Sequence, residues 1–198
     1  MNLEAGGIDA GPDELDEDEP ALRELPVDLE TVVEIATESE LYTERCYART
    51  GYVDTVTGEV HVVYRDALRC AEGELQVDQL EDWSENDLEV ARKILADTED
   101  RYVEIERWHS SEAFQLMEEF ADEASDPRVR ERLAYALRGN KPFRRFKDAL
   151  LEWPDLRETW FAYEGHCQRN AARNWLRTLG IEATDASSYK LPPAPERW

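Results

Sequence analysis

The sequence predicts an α+β fold in which a small antiparallel sheet, a hairpin plus a third strand, packs with a predominantly helical C-terminal subdomain. Three observations predict it. Two β-rich runs, Tyr52-Val53-Asp54-Thr55-Val56 and Glu59-Val60-His61-Val62-Val63-Tyr64, flank Thr57-Gly58, a hairpin turn whose glycine supplies positive φ. From Ser84 onward, apolar residues recur at three- and four-residue steps between Ser, Asp or Pro starts and Gly stops. Six Trp, eight Tyr and five Phe in 198 residues supply material for one core of ordinary domain size.

Taken in order, Asp28 caps a helix carrying Val32, Val33, Ile35 and Ala36. The hairpin follows, and Arg101-Tyr102-Val103-Glu104-Ile105 adds the third strand that a marginal two-stranded ribbon needs. Ser84 with Asp87 resembles a capping box for a helix with Leu88, Ala91, Ile94 and Leu95. Ser110 opens the next, with Phe114, Met117, Phe120 and Ala121 on one side. Asp126-Pro127 supplies a cap and first-turn proline, Val129, Leu133 and Leu137 the buried stripe, and Gly139 the stop. Pro142 and Pro154 start two more helices. The last is long, with Leu156, Trp160, Tyr163, Cys167, Ala171, Trp175 and Leu179 in sequence until Gly180.

The ends differ from this middle. Residues 1–26 read as an acidic arm, with the run Asp13-Glu14-Leu15-Asp16-Glu17-Asp18-Glu19 too self-repelling to fold alone. Residues 27–182 form the single α+β domain, and residues 183–198, with Lys190-Leu191-Pro192-Pro193-Ala194-Pro195, a flexible tail. No apolar run approaches the ~20 residues of a membrane span, and Met1-Asn2-Leu3-Glu4 lacks the basic start of a secretion signal. Both facts place the expected location in the cytoplasm, without a membrane partner. Cys46, Cys70 and Cys167 are three and far apart, which suits reduced thiols rather than a disulfide framework.

Charge is the chain's most uneven property. The net charge is -23, with four Lys, nineteen Arg and forty-six Asp plus Glu, a halophilic-like composition that equally serves solubility. Between Arg128 and Arg177, however, twelve Lys and Arg face six Asp and Glu. Arg138, Lys141, Arg144, Arg145 and Lys147 fall within ten residues containing no acid. Clustering of this kind creates a local field opposite to that of the whole molecule.

The stretch Gly139-Asn140-Lys141-Pro142-Phe143-Arg144-Arg145-Phe146-Lys147-Asp148, followed by Trp153-Pro154, Trp160-Phe161 and Trp175-Leu176, resembles uncharacterised protein family 0158. This bacterial family has a Gly-x-x-x-Phe-Arg-Arg-Phe-Lys-Asp hallmark. The resemblance runs roughly from Val27 to Glu182. The chain departs from it at Pro142, where a small residue is usual, and in its acidic arm. It implies kinship of fold and carries over no catalytic residue, substrate or cofactor.

In its own chemistry the decamer reads as a helix from Pro142 with Phe143, Phe146 and Leu150 on one face. Arg144, Arg145 and Lys147 then form the rim, with Arg145 and Asp148 spaced to pair internally. The helix start beside Lys141 and Arg144 suits a carboxylate or phosphate. Phe161 lies off the apolar stripe of the last helix and offers a contact for a homodimer.

Catalytic and metal chemistry find no foothold. His61, His109 and His166 share no ligand spacing with one another or with cysteine, and Gly6-Gly7 opens no strand–helix unit. His166-Cys167 are adjacent on a helix and point about 100° apart, which leaves Cys167 as a small buried hydrophobe. Glu112, Glu118 and Glu119 are explained by solvation. The sequence therefore predicts a noncatalytic binding or regulatory module without cofactor. Its binding residues are Arg138, Lys141, Arg144, Arg145, Lys147 and Phe161, and its partner is an acidic protein segment or its own N-terminal arm. Nucleic acid at the same basic surface is the alternative, and an enzyme comes third.

Overall fold

The computed structural model of the chain describes residues 21–38, 48–76 and 85–194. The acidic run at 13–19, Cys46 and the Ser84 cap lie outside these residues. The first strand, β1 (Arg23–Val27), leads into α1 (Leu29–Thr37). The Asp28 carboxylate accepts from the Glu30 and Thr31 N–H groups at 3.1 and 3.3 Å, which ends the strand and starts the helix. β2 (Arg49–Asp54) and β3 (Val60–Tyr64) form the hairpin, turning at Gly58 with φ 81°. A side chain there would collide with the Pro26 carbonyl, so the turn also packs against β1. β4 (Tyr102–Glu104) adds antiparallel to β2, giving the order β3-β2-β4. This is the three-stranded antiparallel sheet predicted.

Helices dominate the rest. α2 (Arg65–Ala71) follows β3 directly, and α3 (Glu85–Leu95) packs beside it over Val63, Ala67 and Ala91. α4 (Ser110–Glu123), α5 (Pro127–Leu137) and α6 (Pro142–Leu150) precede the 25-residue α7 (Pro154–Thr178). The cap of α4 is His109 rather than Ser110: its N–H donates to the Glu112 carboxylate at 3.0 Å, closing the first turn one residue earlier. α7 ends at Gly180, φ 74°, and β5 (Ile181–Asp185) turns back along it.

β5 pairs in parallel with β1, Arg23 opposite Ile181 through Val27 opposite Asp185. Both strands fall within or at the edge of the segments the sequence assigns to arm and tail. Neither run has strand composition, and each meets a partner more than 150 residues away, which no local pattern displays. Pro26 is tolerated because a two-stranded ladder is all edge. Beyond β5 the chain is also tied down. Buried Arg169 donates to Asp185 at 2.9 Å and to the Tyr189 carbonyl at 3.1 Å, while the His166 ring meets the Pro192 carbonyl at 2.7 Å.

α7 joins two cores. Its first half sets Trp160 between Phe120 and Phe146, with ring centroids 5.1 and 4.9 Å away and edge-to-face, inside α4, α5 and α6. Its second half places Ala172 and Leu176 among Val27, Leu29, Val32, Ile35 and Ile181. One helix thus fixes the helical half against the strands and α1.

Candidate functional site

The basic surface is built on α5 and α6. Asp126 accepts from Arg128 N–H at 2.8 Å to start α5, and Val129, Leu133, Ala136 and Leu137 turn one side into the core. Arg128, Arg132, Tyr135 and Arg138 therefore share the outward side. Tyr135 is 65% exposed, unusual for so large a ring. The Arg145 guanidinium, from α6, lies over that ring 5.1 Å from its centroid. It also lies across Gly139: a Cβ at that position would stand 1.4 Å from Arg145 Nη1. Gly139 is not in the left-handed region, which Lys141 occupies instead in this turn, so the glycine expected to stop α5 serves to leave the space through which Arg145 reaches Tyr135.

Two shallow recesses meet at the tyrosine. One, of about 440 Å3, is lined by Arg128, Glu131, Arg132, Ala134, Tyr135 and Arg138. The other, of about 340 Å3, is lined by Arg132, Tyr135, Arg145 and Asp148. Arg132 is engaged by Glu152 at 2.8 Å. Among the described residues, Arg128, Arg138 and Arg145 form no ion pair with a carboxylate, so their charge faces outward.

The six residues predicted from sequence do not form one cluster. Arg138 and Arg145 belong to the Tyr135 surface. Arg144, not Arg145, pairs with Asp148, at 3.7 Å along its own helix, because a four-residue step brings side chains over one another better than three does here. Lys141 caps α6 from the left-handed region, φ 58°, without a side-chain hydrogen bond. Pro142 removes one of the N–H donors that the helix start would offer an anion. Lys147 turns to the other side of α6, where a recess of about 740 Å3 also holds Phe143, His109 and Glu164. Burial pushes the Glu164 carboxyl up, against the pull of Lys147 and the Trp160 indole. That indole N–H nonetheless makes no hydrogen bond of normal geometry. Phe161 is 41% exposed, with Arg157 stacked 4.8 Å from its ring.

Tyr135, Arg128 and Arg132 are the residues sequence reading missed. Their signal in the sequence is the i, i+4, i+7 spacing of Arg128, Arg132 and Tyr135, which puts them on one side of α5.

The other chemistry-bearing side chains stay apart. His61 sits on β3 against the Tyr102 ring at 5.7 Å. Cys70 is buried and unbridged. Cys167 is half-buried rather than buried, because its side of α7 borders a cavity instead of the core. Burial pushes its thiol up, outweighing a hydrogen bond with Tyr163, and the charges of Glu119 and Glu123 add to the rise. Such a thiol is a poor nucleophile at neutral pH. Among the described residues no group of three or more His, Cys, Asp or Glu side chains is placed to hold a metal. No described helix is long and apolar enough to cross a membrane.

Comparison with known proteins gives a family. The profile described as Uncharacterised protein family (UPF0158) matches residues 48–195. A UPF0158 protein of Pseudomonas aeruginosa is 31% identical over 102 residues, which cover 50% of this chain and 67% of that protein. No solved structure matches the chain. The matched residues take in the three-stranded sheet, every helix from α2 to α7 and the whole Tyr135 surface, and the chain belongs to the uncharacterised protein family UPF0158.

Proposed function

We propose that this protein is a noncatalytic binding module whose α5–α6 surface, centred on Tyr135, takes an acidic segment of a partner protein. The observation that carries this reading is a tyrosine left 65% exposed and flanked by arginines, one of them stacked on its ring. An amphipathic ring bordered by guanidinium groups is the composition of an interface anchor: the ring supplies area at low entropy cost and the arginines grip carboxylates two oxygens at a time. Among the described residues Arg128, Arg138 and Arg145 have no carboxylate paired with them, so their charge is available to an acidic segment.

The densest acidic run of the chain's own arm, at 13–19, lies at the limit of its reach to this surface. Arg23 donates to the Gly180 carbonyl at the far end of α7, whereas Glu152, the partner of Arg132, stands just before its start. The helix is about 37 Å long at 1.5 Å per residue. The ten residues from Asp13 to Arg23 reach at most ~36 Å when fully extended. Nucleic acid is disfavoured by the net charge of -23, which opposes the approach of a polyanion.

Fluorescence anisotropy of the full chain tests the reading with a labelled twelve-residue Asp/Glu-rich peptide containing one leucine. The expected result is saturable binding that Tyr135→Ala or Arg138→Glu weakens about tenfold and that Arg144→Glu leaves nearly intact. Binding unaffected by Tyr135→Ala, or binding of labelled RNA or DNA without binding of the peptide, overturns it.

A further inference from the structure

A second site, on a different face and independent of the reading above, is walled by α1, the 105–109 segment, α4 and α7. It encloses about 460 Å3, the scale of a small-molecule site. Its apolar walls are Val32, Ile105, Leu116 and the rings of Trp108 and Trp175. The 105–109 wall is laced to its neighbours before any ligand arrives. Ile105 N–H donates to the Gly51 carbonyl and Trp108 N–H to the Ala36 carbonyl, both at 2.8 Å. A cavity held open in this way costs little to organise on binding.

Carboxylates outnumber the basic side chains of this cavity, which are Arg107 and His109. Glu106, Glu112 and Glu119 stand at its border. The guanidinium among the lining residues, that of Arg107, is consumed elsewhere: it donates to the Glu38 carbonyl at 3.1 Å, to the Glu38 carboxylate at 3.3 Å and to the Arg49 carbonyl at 2.9 Å. Glu119 is aimed by two neighbours, accepting from the Gln115 amide at 2.9 Å and from the Tyr163 hydroxyl at 3.3 Å. Two tryptophan rings in the lining and a positioned carboxylate attract the same ligand chemistry, an organic cation. An anion would meet three carboxylates and no free guanidinium.

We infer that this cavity binds a small organic amine, an apolar or aromatic body between Trp108 and Trp175 with its ammonium group on Glu119. The thiol of Cys167, on the same wall, reports occupancy, since a bound ligand covers it. Neither the basic surface nor its partner enters this inference.

The test uses the full chain and two probes of one shape and opposite charge, phenethylamine and phenylacetate, in titration calorimetry. Phenethylamine should bind saturably, quench indole fluorescence and slow the alkylation of Cys167 by N-ethylmaleimide, read by peptide mass spectrometry. Phenylacetate should do none of these. Glu119→Gln keeps an acceptor for Tyr163 while removing the charge, and should weaken phenethylamine about tenfold. Glu118→Gln, on the same helix and outside the cavity, should leave binding unchanged. Equal response to both probes, absence of binding at millimolar concentration, or indifference to Glu119→Gln would overturn the inference. Trp175→Leu keeps it falsifiable should Glu119→Gln misfold: loss of binding in a variant with an unchanged far-UV spectrum supports it, and retained affinity refutes it.

Discussion

Asp54 shows how a single side chain can tie the sheet together. It is 2% exposed, yet it accepts from the Arg101 guanidinium at 3.1 and 2.6 Å and from the N–H groups of Val56 and Thr57 at 2.8 and 3.2 Å. Burial pushes its carboxyl up, but these donors outweigh burial and hold it down at about 2 against an ordinary 3.8. A carboxyl with a lowered folded-state pKa contributes stability above its unfolded value and loses it as pH falls towards the folded one. Asp54→Asn should therefore cost about 2 kcal/mol at neutral pH, where the difference of almost two units is fully expressed. The gap between wild type and variant in urea denaturation should close as pH falls from about 4 to about 2. A gap independent of pH would show that shape rather than charge holds the hairpin. The sequence displayed Asp54 and Arg101 only as members of two separate strands, because their pairing depends on the β2–β4 register.

At the scale of elements, what was legible followed local chemistry. Asp28, Asp126, Pro127, Pro142, Pro154 and the Thr57-Gly58 turn each act within a few residues, and each begins or ends an element where the sequence placed it. The β1–β5 ladder and the Tyr135 surface were not legible in the same way. The first depends on two distant runs of poor strand composition, and the second on the contact of two helices across Gly139. That junction makes a prediction of its own. Gly139→Ala places a methyl where Arg145 Nη1 lies, and the long side chain can yield at its tip. Thermal stability should change by less than about 1 kcal/mol, since surface changes away from a core seldom exceed that. The Tyr135 ring protons should nevertheless shift in the NMR spectrum as the guanidinium leaves, and peptide affinity should fall. Unchanged ring shifts would mean that Arg145 reaches Tyr135 without the space Gly139 provides.

For the whole molecule, charge is the dominant fact. With net charge -23, the folded state carries its own repulsion, partly relieved by ion pairs such as Arg177 with Glu182 at 2.8 Å and Arg169 with Asp185 at 2.9 Å. Salt screens repulsion over about 10 Å at 0.1 M and 3 Å at 1 M. Raising sodium chloride from 0.05 to 1 M should thus raise the melting temperature in calorimetry, and a fall would show that the ion pairs outweigh the repulsion. The parallel β1–β5 pairing has a consequence in the making of the chain. Val27 and Leu29 are fully buried in the finished fold, but their cover includes β5, which is translated roughly 150 residues after β1. At 5–20 residues per second, the roughly 150 residues between the strands take about 8–30 s to synthesise. For that time β1 is a strand without its mate, open to pairing with any other nascent chain. Eight Asp and Glu residues stand within the twenty that precede this strand, and their repulsion guards it against aggregation until β5 emerges.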